Sequence, residues 1–166
     1  MNIVLTGFMA SGKTSISREI AAMSKFELID TDELLEQTEG MTINEIFAKY
    51  GEEYFRKKEH ETIKKVSAMD NAVISTGGGV VLNKANMAEL RKNGMIFNLA
   101  PDFEVIRERL EEAAATRPLL QNQNIEEIKQ RFEARRPFYD DCDYKVKVVS
   151  SRTPKSYAIE ILSAVK

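Results

Sequence analysis

An unbroken apolar run, Ile3-Val4-Leu5, leads straight into Gly7-Phe8-Met9-Ala10-Ser11-Gly12-Lys13-Thr14, and no other stretch limits the fold so tightly. The octet fits the spacing G-x-x-x-x-G-K-[ST] at all four fixed positions. Apolar at every residue, the run reads as a strand covered on both faces. Thr14 to Met23 reads as a helix, with Ile16, Ile20 and Met23 at helical spacing. A glycine-rich turn between strand and helix directs backbone N–H groups and the positive helix end at an anion. The groups concerned belong to Ala10, Ser11, Gly12, Lys13, Thr14 and Ser15. Lys13 is expected to reach the β- and γ-phosphates of a nucleoside triphosphate, and the Thr14 hydroxyl to ligate Mg²⁺. The motif alone does not separate a kinase from a GTPase or a motor domain.

Strands and helices alternate along the rest of the chain. Glu27-Leu28-Ile29 is a second short strand ending at Asp30, and Thr42-Ile43-Asn44-Glu45 has the form of a capping box that opens a helix. Gly51 punctuates before a long helix from about Glu52 to Met69. Ala72-Val73-Ile74-Ser75 is a third strand, followed by Gly77-Gly78-Gly79. Asn83 caps a helix that stops near Gly94. Ile96-Phe97-Asn98-Leu99 is a fourth strand, and Asp102 caps the helix through Leu110. Residues from Ala113 to Asn124 show no period and read as a loop holding Arg117-Pro118. A helix carrying Ile125, Ile128 and Phe132 follows. Tyr144 to Val148 alternates, as an edge strand does, and Thr153-Pro154 starts the last helix. Such alternation predicts a parallel sheet with helices on both faces, and ligands bind beyond the carboxyl ends of such strands. The phosphate loop, Asp30-Thr31-Asp32 and the triple glycine all follow strands, so they are expected to meet.

Composition excludes several classes. At 166 residues the chain fits one domain, and a formal net charge of −2 gives no general attraction to nucleic acid or membrane. The lone Cys142 cannot close an internal disulfide, which fits a reducing compartment. No apolar run approaches membrane-spanning length, and the start lacks the pattern of a signal peptide. A cytoplasmic monomer is expected. No Cys/His cluster suggests zinc, and His60, among charged neighbours, reads as a surface residue.

The acceptor side is read from carboxylates, arginines and glycines. Asp30 and Asp32, two apart at a strand end, point to the same side if the strand extends that far. One could support Mg²⁺ through water while the other takes the proton of an attacking hydroxyl. The plainer alternative is that Asp32 caps the next helix. Arg56 lies seven residues before Ile63 and Arg135 seven after Ile128, so each falls within ~20° of the apolar stripe of its helix, while Arg136 is rotated towards solvent. Two inward guanidinium groups suit a substrate carboxylate, unless acids such as Glu59 or Glu133 pair with them. The triple glycine fits close approach of backbone to ligand. Arg117 is a candidate cation for the transferring phosphoryl group once its loop closes.

With these residues in order, the chain resembles the shikimate kinases from Asn2 to its final helix. The motifs are the loop at Gly7 to Thr14, Asp30-Thr31-Asp32, Phe55-Arg56, Gly77-Gly78-Gly79, Arg117-Pro118-Leu119-Leu120, Arg135-Arg136-Pro137-Phe138-Tyr139 and Arg152-Thr153-Pro154. The resemblance implies a three-layer α-β-α domain over residues 1–166 with a five-stranded parallel sheet. It also implies a substrate-binding segment at about 31–61 and a lid at about 111–124. It implies transfer of the γ-phosphate of ATP to the 3-hydroxyl of shikimate, with Mg²⁺. Asp32, Arg56, the Gly78 backbone and Arg135 would then hold shikimate, and Thr14 would hold Mg²⁺ with Asp30 in support. Lys13 and Arg117 would meet the phosphates, and Arg109, Arg152 and Pro154 would border adenine. Rival readings are another small-molecule kinase of this fold, for gluconate or a nucleoside monophosphate, and a non-catalytic ATP-binding regulatory module.

Overall fold

In the computed structural model, which describes residues 1–116 and 124–165, five parallel strands stand in the order β2-β3-β1-β4-β5. They are β1 Asn2–Thr6, β2 Glu27–Asp30, β3 Ala72–Ser75, β4 Gly94–Pro101 and β5 Tyr144–Val148. The central β1 is buried along its whole length, as its unbroken apolar run requires. Its residues alternate between two cores. Val4 packs with Ile63, Met87, Ile106 and Phe132 on one face, while Ile3 and Leu5 pack with Ile16, Ile20, Tyr157 and Ile161 on the other.

The helices supplying those faces are α1 Lys13–Ala22, α2 Thr31–Glu39, α3 Ile43–Ser67, α4 Lys84–Arg91, α5 Phe103–Thr116, α6 Ile125–Tyr139 and α7 Pro154–Ala164. α1 and α7 cover one face. The second half of α3, with α4 and α6, covers the other. Thr42, Asn83, Asn124 and Thr153 each accept a first-turn N–H, which satisfies donors the helix itself cannot. α2 and the start of α3 form a small separate core of Leu35, Ile46 and Phe55 at the carboxyl end of the strands. Gly51, at φ +85°, kinks α3 between Ile46 and Phe55, the two residues it gives to that small core.

β1 leads to β2, while its neighbour β3 leads to β4 on the opposite side. The two loops therefore diverge and open a crevice between the ends of β1 and β3, where the strand order reverses.

Two expectations are corrected. α5 does not stop at Leu110 but runs to Thr116, so the loop expected from Ala113 is helical at its start. Ala113-Ala114-Ala115 offers no apolar–polar contrast to reveal a period, yet alanine is the best helix former. Asp102 precedes α5, and its carboxylate takes the Lys147 ammonium at 2.8 Å. His60 is half-buried rather than superficial, with Nδ1 2.7 Å from Asn86 Oδ1 on α4. Arg117 and the rest of the expected lid through residue 123 lie outside the described residues. Among the described residues no helix is long and apolar enough to cross a membrane.

Candidate active site

The phosphate loop bends because Gly12 adopts φ +102°, in the left-handed region open to glycine. Gly12 also caps α1 without a side chain, so the first-turn N–H groups, those of Thr14 and Ser15 among them, face the loop's concavity. Lys13 Nζ donates to the carbonyls of Gly7 and Phe8. Burial pushes the Lys13 pKa down to about 8, partly opposed by the nearby Asp32 and Asp30 carboxylates. The loop thus offers backbone donors, a half-buried cation and a hydroxyl within one turn.

Beside it opens a cavity of about 360 Å³ whose wall includes Lys13, Thr14, Asp30, Asp32, Arg56, the three glycines and Arg135. Two acids share this wall, but not for the reason the sequence suggests. The strand ends at Asp30, and Asp32 already lies in the first turn of α2. Asp30 is the cap: its Oδ1 accepts from the N–H groups of Asp32 at 3.0 Å and Glu33 at 3.1 Å. The plainer reading of Asp32 as a helix cap is therefore overturned. Burial, and then the charges of Asp30 and Glu59, raise the Asp32 pKa from 3.8 to about 6. A carboxylate in that range is well matched to taking a proton near neutral pH.

The arginines differ from one another. Arg56 Nη1 lies 2.9 Å from Glu59 Oε1 and its Nε 3.7 Å from Glu52, so the internal pairing considered for it is present. Glu133 instead pairs with the exposed Arg136, leaving Arg135 half-buried over the Phe8 ring, 6.0 Å from its centroid. The triple glycine is pinned by two side chains, from α2 and from α6. Gly77 N–H donates to Thr31 Oγ1 at 3.1 Å, and Tyr139 Oη donates to the Gly78 carbonyl at 2.6 Å.

A second cavity, of about 590 Å³, opens on the other side of the loop between Ala10, Gly12, Ser15, Arg109, Arg152, Pro154 and Tyr157. Arg109 donates to the Ala10 carbonyl at 2.7 Å. The Arg152 guanidinium lies 4.1 Å over the Tyr157 ring and pairs with Glu160 at 2.8 Å, so it presents a flat, fixed face. Every expected site residue except Arg117 thus borders the loop or one of these two cavities, Ser11 lying buried within the loop itself. Glu59, Thr31 and Tyr139 were not singled out as members of the site. Helical spacing held a signal for two of them, since Glu59 is three residues from Arg56 and Tyr139 four from Arg135.

The donors also suit Mg²⁺. Thr14 and Asp30 offer hard oxygen atoms on one wall beside the loop, and Asp30 keeps Oδ2 clear of its two cap bonds. Among the described residues no cluster of three or more His, Cys, Asp or Glu could cage a metal. A hydroxyl and a free carboxylate oxygen suit an ion that takes one or two side chains and completes its shell with phosphate and water.

A family model described as shikimate kinase matches residues 9–166. The chain belongs to the shikimate kinase family. A shikimate kinase of Caldanaerobacter subterraneus subsp. tengcongensis is 46% identical over 164 residues, covering 98% of this chain and 95% of that relative. The crystal structure of shikimate kinase from Aquifex aeolicus is 36% identical, with a TM-score of 0.82 over 99% of this chain and 96% of that one. A shikimate kinase from Acinetobacter baumannii, solved in complex with shikimate, is 30% identical, with a TM-score of 0.86 over 99% of this chain and 92% of that one. The five-stranded parallel architecture is that of the family.

Proposed function

We infer that this chain transfers the γ-phosphate of ATP to the 3-hydroxyl of shikimate, giving shikimate 3-phosphate and ADP. The observation that carries the reading is a single cavity wall on which Lys13 and Thr14 of the phosphate loop meet Asp32, Arg56 and Arg135. A phosphoryl donor and a carboxylated alcohol can be held there side by side. The rival kinases of this fold lose ground to membership of the family, and a non-catalytic module would have no use for a raised Asp32 beside the loop.

Each residue then has a physical task. The N–H groups of the loop and of the first turn of α1 receive the phosphates, with Lys13 following the charge of the γ-group. Arg135 and Arg56 grip the acceptor carboxylate, and the Gly78 backbone borders the ring. Asp32 accepts the hydrogen bond of the reacting hydroxyl, aims it at phosphorus and takes its proton. The hydroxyl oxygen forms the new P–O bond as the bond to the ADP oxygen breaks. The Thr14 hydroxyl and Asp30, through water, would hold Mg²⁺, which when bound neutralises phosphate charge. Arg109, Arg152 and Pro154 border adenine. Arg117, read from its place in the polar loop and from the resemblance, would meet the transferring group. The substrate-binding segment is 31–61, the lid spans 111–124, and the enzyme acts as a cytoplasmic monomer without nucleic-acid or membrane partners.

The test is ADP release with shikimate, quinate, gluconate or AMP as acceptor. Stimulation by shikimate far above the others is expected. Release unchanged by any acceptor would mark a nucleotide-binding module, and stimulation by gluconate or AMP a different kinase.

A further inference from the structure

Arg135 differs from the other arginine of the acceptor cavity in what holds it. Arg56 is neutralised within the protein by Glu59, itself buried. Glu133, the acid nearest Arg135 in sequence, is taken by Arg136, and no carboxylate among the described residues lies within 4.0 Å of Arg135. Glu59 and Lys13 act on it only from beyond ion-pair distance, and two closer neighbours are uncharged. One is the Phe8 ring. The other is Tyr139, one turn further along α6, where i and i+4 side chains meet.

Tyr139 is buried against the main core, but its hydroxyl is not idle. Oη donates its proton to the Gly78 carbonyl at 2.6 Å. That commits the proton and leaves the oxygen lone pairs facing the guanidinium beside it, since a β-carbon on Gly78 would lie 3.3 Å from Arg135 Nη1 and 3.8 Å from Tyr139 Oη. Burial raises the phenol pKa more than Arg135 lowers it, so the proton stays on Oη at neutral pH. A carboxylate could hold Arg135 as firmly, but it would cancel the charge. A phenol oxygen holds it without cancellation.

We propose that Tyr139 is a positioning residue for the acceptor, tying the Gly78 backbone to α6 and steering Arg135 with a neutral oxygen so that its full charge is left for the substrate carboxylate. The proposal deepens the reading of the acceptor cavity given above and rests on it.

Tyr139→Phe keeps the ring, its packing and its volume, and removes only the hydroxyl. The expected result is a shikimate KM raised on the order of 3–30-fold, the range for one hydrogen bond within a charged network. The ATP KM should be unchanged and kcat should fall less than about threefold. Adding Tyr139→Phe to Arg135→Ala should cost far less than it does alone, because the two act as a unit. An unchanged shikimate KM, or equal losses for both substrates, overturns the proposal, as the second pattern is what loosened core packing would give. If Arg135→Ala itself leaves the shikimate KM unchanged, the acceptor-cavity reading falls and the proposal with it. A raised KM for Arg135→Ala with none for Tyr139→Phe sinks the proposal alone.

Discussion

Gly77 lies so close beneath Asp32 that a β-carbon on it would stand 2.5 Å from Asp32 Oδ1. The next two glycines repeat the arrangement under other side chains. A β-carbon on Gly78 would stand 3.3 Å from Arg135 Nη1, and one on Gly79 would run into the Arg56 guanidinium. The triple glycine is thus a floor beneath three side chains of the acceptor cavity, each glycine under a different one.

Alanine at each end of that floor should therefore produce different defects. Gly77→Ala displaces Asp32 and is expected to lower kcat about 10–10³-fold, since small misplacements of a reacting group are costly. Gly79→Ala pushes aside the far end of a flexible side chain, so folding changes little while the shikimate KM rises. Steady-state kinetics of the two variants decides this. The same pattern in both would show that the loop distorts as a whole.

Asp32→Asn separates chemistry from folding. Turnover should fall by about 10²–10⁴, the usual weight of general base catalysis, with ATP binding intact by calorimetry. Stability should move the other way. The folded-state pKa of about 6 lies above the ordinary 3.8, so the folded protein binds this proton more tightly and loses stability as pH rises from 4 to 6. That loss is on the order of 3 kcal/mol at most, and Asn avoids it. The variant should therefore outlast the parent against urea at pH 8, with the difference closing by pH 4. Near-normal turnover in Asp32→Asn would remove Asp32 from the reaction.

The pH profile of kcat/KM for ATP should be a bell. Below about 6 Asp32 is protonated and cannot accept the hydroxyl proton, so activity falls with falling pH. Above about 8 Lys13 loses its charge, and phosphate binding weakens with rising pH. Asp32→Asn should flatten the acid limb and shift the alkaline one to lower pH, because the Asp32 charge helps to keep Lys13 protonated. In kcat the alkaline limb should move upward, because bound phosphates favour the ammonium form. An acid limb that survives in Asp32→Asn would assign it to another group.

Arg152→Ala should weaken ATP without touching shikimate. The guanidinium held flat over Tyr157 offers a stacking face to a base, and such stacking is worth about 1–3 kcal/mol. The ATP KM should rise about 5–100-fold while the shikimate KM and kcat hold. Equal changes in both KM values would mean that Arg152 serves only to anchor α7 through Glu160.

Local pattern was enough for much of this protein. The phosphate loop, the five strands and the helix caps at Thr42, Asn83 and Thr153 were legible because each depends on neighbours within a few residues. The inward arginines were legible too, since helical phase fixes which side of α3 and α6 they occupy. What the chain could not reveal locally was allocation among rivals. Asp30 and Asp32 both had the chemistry of a cap, and only the end of β2 against β3 gave that task to Asp30 and left Asp32 free in the cavity. Arg56 and Arg135 looked alike, but the fold put Glu59 against one and the neutral Tyr139 beside the other. The glycines gained their meaning only when β3 brought them under α2, α3 and α6. Propensity and phase act along a few residues of chain, whereas burial, charge pairing and close contact depend on segments that only the folded sheet brings together.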